Sequence, residues 1–236
     1  MIHTVAETGS TNADLAARLR GGEYVPEGDW LVAERQTAGR GRQGREWFDG
    51  YSNFMGSTVV HPADGDPPVH TLTLVASLAL YEAIVPLLPQ PGQLQIKWPN
   101  DLLLSGGKLS GILLEREGKA VILGIGVNLA AAPELDDRQT AALSDIGPAP
   151  DRELFATMLA GHVSRELDRW RQFGLDPIRN RWLAAAHPLG TPLAVHDAGG
   201  DRLAGSFFGL SEDGSLMLRL EDGTTRAIHA GDVMLA

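Results

Sequence analysis

The sequence predicts an α+β chain in which a largely antiparallel sheet flanked by helices is followed by a small antiparallel barrel. Between Leu94 and Leu129, β-prone runs are separated by Ser105-Gly106-Gly107 and Gly118 at hairpin spacing, which calls for antiparallel pairing. Residues 72–88 and 152–173 carry apolar side chains at helical spacing. After Pro188 the pattern changes to short alternating segments with tight turns about every eight to twelve residues, as in small barrels.

In chain order, Thr11-x-x-Asp14 reads as a capping box before the amphipathic run Leu15 to Leu19, which stops at Gly21-Gly22. Leu31-Val32-Ala33 is a short strand and 53–60 another. Between them, Glu34 to Phe48 has no apolar periodicity and is expected to be mobile until something binds. A Pro/Gly/Asp turn at 62–68 leads into the buried helix 72–88, closed by Pro89-Gln90-Pro91-Gly92. Strands are expected at 94–98, 102–104, 108–115 and 120–129, then a Pro/Asp-rich connection over 130–150. Two helices follow: 152–173, with Leu154, Met158, Val163 and Leu167 on its apolar side, and 177–186 around Trp182. The tail strands are 192–196, 203–210, 215–220 and 224–228, turning at Gly199-Gly200, Asp213-Gly214 and Asp222-Gly223. A boundary near 186–190 divides the chain into domains 1–187 and 188–236.

With 236 residues, 43% of them hydrophobic and 21% charged, the chain has the composition of a globular protein with a sizeable core. A net charge of -10 without any extended Lys/Arg tract disfavours nucleic acid as a partner. No cysteine is present, which removes disulfides, thiolate nucleophiles and Cys-ligated metals. The N-terminus lacks a basic region followed by an apolar core, and the apolar runs look too short to span a bilayer, so a soluble cytoplasmic chain with no membrane partner is expected.

The charged loop is the first candidate site. Arg35, Arg40, Arg42 and Arg45 alternate with Gly39, Gly41 and Gly44. Gly39-x-Gly41-x-x-Gly44 formally matches a dinucleotide fingerprint, yet Glu46-Trp47-Phe48-Asp49-Gly50 is a poor helix start, and the acids at ribose distance fall in a turn. A Walker loop is excluded because Leu109 follows Gly107-Lys108. What remains is guanidinium contact with phosphate or carboxylate; a merely solvated loop would not need the entropic cost of three glycines.

A second constellation, Lys97-Trp98-Pro99-Asn100-Asp101 with Lys108-Leu109-Ser110-Gly111-Ile112, puts two lysines, a carboxylate and a carboxamide in one hairpin, which reads equally well as a surface hairpin. In the third, Gly124-Ile125-Gly126-Val127-Asn128, glycines inside a strand imply a close neighbour, either a ligand or another strand. No histidine pair has metal-ligand spacing and no Gly-x-Ser-x-Gly elbow occurs.

Taken together, Ser10-Thr11-Asn12, Gln36-x-x-Gly39-Arg40-Gly41-Arg42-x-Gly44-Arg45-x-Trp47, Lys97-Trp98-Pro99-Asn100-Asp101, Lys108-x-x-Gly111-Ile112-Leu113 and Gly124-x-Gly126-x-Asn128 resemble, in order and spacing, the biotin protein ligases. The resemblance covers Ser10 to Asn128, and the tail resembles that family's SH3-like C-terminal domain. It implies a mixed sheet related to class II aminoacyl-tRNA synthetases. The activity it implies forms biotinyl-5'-AMP from biotin and ATP with Mg2+, releases pyrophosphate, and moves biotin to a lysine of a biotin carboxyl carrier protein. Ser10, Thr11, Asn12, Gln36, Arg40 and Ile112, with backbone of Gly39 and Gly111, would hold biotin. Arg42 and Arg45 would hold the adenylate phosphate; Trp47, Asn100 and Asn128 would lie at the nucleotide. Lys108 would hold the biotin carboxylate and developing phosphate charge, and Asp101 would sit near the acceptor lysine, to accept or orient its proton. Because Ser10 lies so near the start, no DNA-binding domain and no repressor function are expected; homodimerisation through sheet edges is compatible with the pattern. A lipoate ligase would show a Gly-Gly-Gly type loop where this chain has Gly-Arg-Gly-Arg, and a non-catalytic binder would have little need of Lys108.

Overall fold

Residues 1–197 and 202–235 are described in a computed structural model. The larger sheet comprises β1 (Ile2–Thr8), β2 (Trp30–Gln36), β3 (Phe54–Val60), β4 (Leu94–Lys97), β5 (Asp101–Leu104), β6 (Gly107–Glu117) and β7 (Ala120–Val127). Their spatial order is β1-β2-β3-β7-β6-β5-β4. Only β1 and β2 run parallel; the other pairs are antiparallel, so the sheet is mixed. The hairpin block was legible in the glycine punctuation, but β1 was not anticipated. It is an edge strand whose residues are mostly exposed, so little apolar alternation marks it.

Four α-helices cover the sheet: α1 (Thr11–Arg20), α2 (Leu72–Ile84), α3 (Arg152–Phe173) and α4 (Leu175–Ala185). Ser10, not Thr11, is the N-cap of α1; Thr11 already lies inside the helix and spends its hydroxyl on tertiary hydrogen bonds. α2 stops at Ile84 and tightens into a single 3-10 turn over Val85–Leu87, because Pro86 brings no N–H and crowds the preceding turn. Residues Val69–Leu87 form a 19-residue helical stretch of mean hydropathy 1.4, long enough to cross a bilayer by length and composition, contrary to the expectation above. Its apolarity is accounted for by the core, in which Leu72, Val75, Ala79, Leu80 and Ile84 are completely buried.

α3 begins where its Asp151 cap accepts from the N–H groups of Glu153 and Leu154 at 2.9 and 3.0 Å. Its buried stripe is Phe155, Leu159, Val163, Glu166, Leu167 and Trp170. Leu154 lies outside that stripe and is 72% exposed, which corrects its assignment to the apolar side. Glu166, fully buried, is balanced by Arg169 and by Arg181 of α4.

The second sheet contains β8 (Pro192–Asp197), β9 (Arg202–Leu210), β10 (Leu216–Arg219), β11 (Thr225–Ile228) and β12 (Gly231–Leu235), in the order β11-β10-β9-β8-β12 and antiparallel throughout. The expected turn at Gly199-Gly200 lies outside the described residues. β12 was missed by the sequence reading and matters most for the site. The two sheets share one apolar core, to which Leu193, Val195, Phe207, Leu216, Leu218 and Val233 contribute from the C-terminal side. A hydrogen bond and a ring contact join them as well: Trp98 Nε1 donates to the Gly214 carbonyl at 3.2 Å, and the His187 ring centroid sits 4.5 Å from that of Phe207.

Candidate functional site

Strand alternation divides β7 between two environments. Val121, Leu123, Ile125 and Val127 join the main core. On the other face, Ala120 and Ile122 pack in a smaller cluster with Leu15 of α1. Further along that face come Gly124 and Gly126, where the sheet becomes the floor of a cavity of about 960 Å³. A Cβ on Gly124 would stand 2.2 Å from Asn12 Oδ1, and one on Gly126 would stand 2.3 Å from the Trp47 ring. The close neighbours of these glycines are the side chains of Asn12 and Trp47, which neither alternative from sequence, a ligand or another strand, had named. On β6, Gly111 makes room for the same ring, 3.0 Å from its virtual Cβ.

One end of the cavity is neutral and polar. Gln36 Oε1 accepts from the Thr11 N–H at 2.8 Å and from the Thr11 hydroxyl at 3.0 Å. The Thr11 hydroxyl also meets Ser57 Oγ at 2.6 Å, and Ser57 donates to Asn12 Oδ1 at 2.6 Å. Asn12 Nδ2 donates to Glu115 at 2.7 Å. This buried chain ties α1 to β2, β3 and β6, so the start of α1 is fixed as a wall before any ligand arrives. Asp49 secures the end of β2, accepting from the Gln36 N–H at 2.9 Å.

The other end is cationic. The arginine-glycine loop is folded against the body: an antiparallel bridge joins Arg40 to Glu46, and a 3-10 turn spans Arg42–Gly44 with Gln43 in the left-handed region at φ 58°. Arg42 donates to Asn100 Oδ1 at 3.3 Å and to the Gly231 carbonyl at 3.4 Å. Arg45 pairs with Asp232 of β12 at 2.5 Å. The loop expected to be mobile is therefore held in this structure by the C-terminal sheet. Burial pulls Arg42 below its ordinary value, against the opposing fields of Asp101 and Asp232.

Lys108 Nζ lies 2.7 Å from Asp101 Oδ1, and Lys97 Nζ lies 3.4 Å from Oδ2 of the same carboxylate. Burial alone would raise Asp101, but the two lysines outweigh it and hold the carboxyl below the usual carboxylate range. A carboxylate held below its usual range is a poorer proton acceptor than a free one, and its place beside Lys108 suits it to aiming the ammonium. Asn128 anchors the backbone beside Lys108, its Nδ2 donating to the Ala141 carbonyl at 3.1 Å, while its buried Oδ1 has no partner among the described residues. Trp47 Nε1 is likewise buried without one. Lys108 Nζ stands 6.0 Å from the centroid of the Trp47 ring.

Every residue that the resemblance assigns to the site lines this one cavity: Ser10, Thr11, Asn12, Gln36, Gly39 and Arg40; Arg42, Arg45, Trp47 and Asn100; Asp101, Lys108, Gly111, Ile112 and Asn128. Arg35 and Lys97, which the sequence placed in the first two constellations, do not line it; Arg35 pairs with Glu7 and Asp49 instead. Gly39 is constrained by Gln36 Nε2, 3.0 Å from its virtual Cβ, and Arg40 is the most open of the loop arginines that line the cavity, with no ion pair among the described residues. Sequence reasoning missed Ser57, Asp49, Asp137, Arg138 and Asp232. Only Asp232 had a usable signal, the short alternating run Gly231-Asp232-Val233-Met234-Leu235.

Residues 9–130 match the model of the Biotin/lipoate A/B protein ligase family, and residues 190–235 that of the Biotin protein ligase C terminal domain. The chain is 41% identical over 226 residues to a Biotin--[acetyl-CoA-carboxylase] ligase of Paracoccus denitrificans, covering 91% of this chain and 92% of the relative. Identity to the Mycobacterium tuberculosis protein of the same name is 37% over 239 residues, covering 99% and 88%. Among solved structures, a biotin protein ligase from Aquifex aeolicus in complex with biotin and ATP superposes with a TM-score of 0.87 at 26% identity, covering 100% of this chain and 99% of that one.

Proposed function

The chain belongs to the biotin/lipoate A/B protein ligase family, as a biotin protein ligase, and on that premise we propose a two-step reaction in this cavity. Biotin and ATP give biotinyl-5'-AMP and pyrophosphate, and biotin then passes to one lysine of a biotin carboxyl carrier domain, that of acetyl-CoA carboxylase, for which the relatives are named. The observation that carries the reading is convergence. Motifs spread from Ser10 to Asn128 line one cavity with a neutral polar end and a cationic end, a match for the uncharged ring system and the anionic groups of the two substrates.

In the first step a biotin carboxylate oxygen attacks the α-phosphorus of ATP, and the bond to the bridging oxygen breaks as pyrophosphate leaves. Two anions must be held together for this, so fixed cations have to offset their repulsion and then stabilise the charge that builds in the transition state. Lys108, aimed by Asp101, takes the joining oxygens; Arg42 and Arg45 take the phosphate. The neutral polar end, from Ser10 to Gln36 with Gly39, Arg40, Gly111 and Ile112, takes the biotin ring system. Asn128 Oδ1 is free to accept from the nucleobase amine, with Asn100 and Trp47 completing the nucleotide wall. The loop covers the mixed anhydride and keeps water from it. In the second step the carrier amine attacks the carbonyl carbon and AMP departs; Asp101, already committed to two lysines, acts here as a positioning residue for Lys108.

Mg2+ would enter with ATP. The described residues hold no cluster of three or more His, Cys, Asp or Glu that could bind it as a resident ion. DNA has no role in this reading, in keeping with the net charge of -10. A domain boundary at 187/188 and a cytoplasmic location belong to the same proposal.

The test uses purified protein, biotin, ATP with Mg2+, and a carrier domain. Biotin-dependent exchange of pyrophosphate into ATP, followed by biotin on a single carrier lysine, is expected. Absence of both ends the reading.

A further inference from the structure

The segment that follows Asn128 carries an arginine that no motif contains. Residues 139–141 are zipped onto the backbone of Lys108: Lys108 N donates to the Gln139 carbonyl at 2.9 Å, and Ala141 N donates to the Lys108 carbonyl at 3.0 Å. A parallel bridge pairs Lys108 with Thr140. Gly107 permits this approach, since a Cβ there would stand 2.8 Å from the Thr140 carbonyl oxygen. Arg138 immediately precedes the zipped stretch, so its backbone is tied to the residue that handles the joining oxygens.

Its head group is held far more loosely. Among the described residues the only partner of the guanidinium is Asp137, its neighbour in sequence, which it meets from Nε at 3.1 Å and through Nη2. A pair between adjacent residues closes no tertiary structure. The arginine side chain is 28% exposed and the aspartate 62%, so the cation is turned inward while its acid stands in solvent. Arg138 lines the same cavity as Lys108, Arg42 and Arg45. Asp137 raises Arg138 most, and Asp232 and Asp101 add to this through space; Arg45 in turn acts on Asp137. Those neighbours place Arg138 at the cationic end, not beside Thr11 and Gln36.

We propose that Arg138 leaves Asp137 to bind the β- and γ-phosphates of ATP, and the pyrophosphate that they become, as a cation separate from those that stay on the adenylate. The inference rests on the ligase reading above. Its chemistry follows from the first step: when the bridging bond breaks, the negative charge on the departing pyrophosphate increases, and Lys108 and Arg42 remain with the biotinyl phosphate. A guanidinium with a fixed backbone and a weakly held head can meet the leaving group with paired charge-assisted hydrogen bonds.

The test compares wild type, Arg138→Ala, Arg138→Lys and Asp137→Asn in biotin-dependent ATP–pyrophosphate exchange. A parallel assay measures ATP-free transfer from chemically made biotinyl-5'-AMP to a carrier domain. Arg138→Ala should raise the KM for ATP and for pyrophosphate about tenfold or more, the worth of a charged hydrogen bond. KM for biotin and transfer from the preformed adenylate should stay at wild-type values. Arg138→Lys should recover part of the pyrophosphate affinity as a point charge. Asp137→Asn, which frees the guanidinium, should lower the same constants. Unchanged constants in Arg138→Ala, an equal loss in the transfer step, or a rise in Asp137→Asn would overturn the proposal. Wild-type protein that shows no exchange would instead overturn the ligase reading on which it stands.

Discussion

Leu123 and Gly124 are neighbours on β7, yet they belong to different machines. Leu123 is 1% exposed and packs in the core shared with α2 and α3; Gly124, one residue on, faces Asn12 across a gap with no room for a methyl group. The same contrast runs along the strand, where a column of branched aliphatic residues backs onto a column that thins from Ile122 to Gly124 and Gly126. Cohesion is supplied by one face and space by the other. Glycines would weaken an ordinary strand, but here the apolar column behind them holds the sheet rigid, so the site can be hollow without being loose.

The largest effect should come from the hollow side. Lys108→Ala is expected to slow adenylate formation roughly a hundred- to a thousandfold, the scale of losing one group that acts on the transition state. Biotin affinity, measured by calorimetry, should change much less; equal losses in rate and affinity would reduce Lys108 to a binding residue. On the packed side, Leu123→Ala should destabilise the fold by about 3 kcal/mol in denaturant titration and leave the specific activity of the folded fraction near wild type. A large fall in activity at unchanged stability would erase the distinction between the faces.

Gly126→Ala is the mirror experiment. Its methyl must displace Trp47, and a loss of about tenfold in kcat/KM for ATP is expected with a denaturation midpoint close to wild type. If stability falls instead, Gly126 is a packing residue. The smallest effect concerns the seam between the sheets. Burial, and then Lys97, push His187 down to about 4. The folded state thus binds its proton later than the unfolded chain, so stability is intact above about pH 6.5 and declines as pH falls from there towards about 4. Between about pH 7.5 and about pH 6 this amounts to roughly 1 kcal/mol, and His187→Phe should remove that slope. An unchanged slope would relieve His187 of the role.

These contrasts also mark what could be read beforehand. The five motifs were legible because each is local: a glycine, an arginine or a lysine at fixed spacing in one strand or turn. The hairpin block and the bounds of α3 were legible for the same reason, through glycine punctuation and a long apolar period. Edge strands were not. β1 pairs on one side only and keeps little apolar alternation, and β12 is a short terminal strand. Missing β12 concealed the hold of Asp232 on Arg45, two residues 187 positions apart in sequence. Thr11 shows a subtler limit, since its pattern suits a cap while its buried hydroxyl serves Gln36 and Ser57. Arg138 belongs to no pattern at all; its place is visible only through the backbone zip onto Lys108.

The central claim is that this cavity joins biotin to the nucleotide before the carrier is involved. The direct measurement is mass spectrometry of the purified protein after incubation with biotin and ATP alone, followed by removal of free nucleotide and addition of the carrier domain. The account predicts stoichiometric biotinyl-5'-AMP retained on the protein, and biotin on the carrier lysine without further ATP. Absence of the adenylate, or carrier modification that persists only while ATP is present, would contradict it.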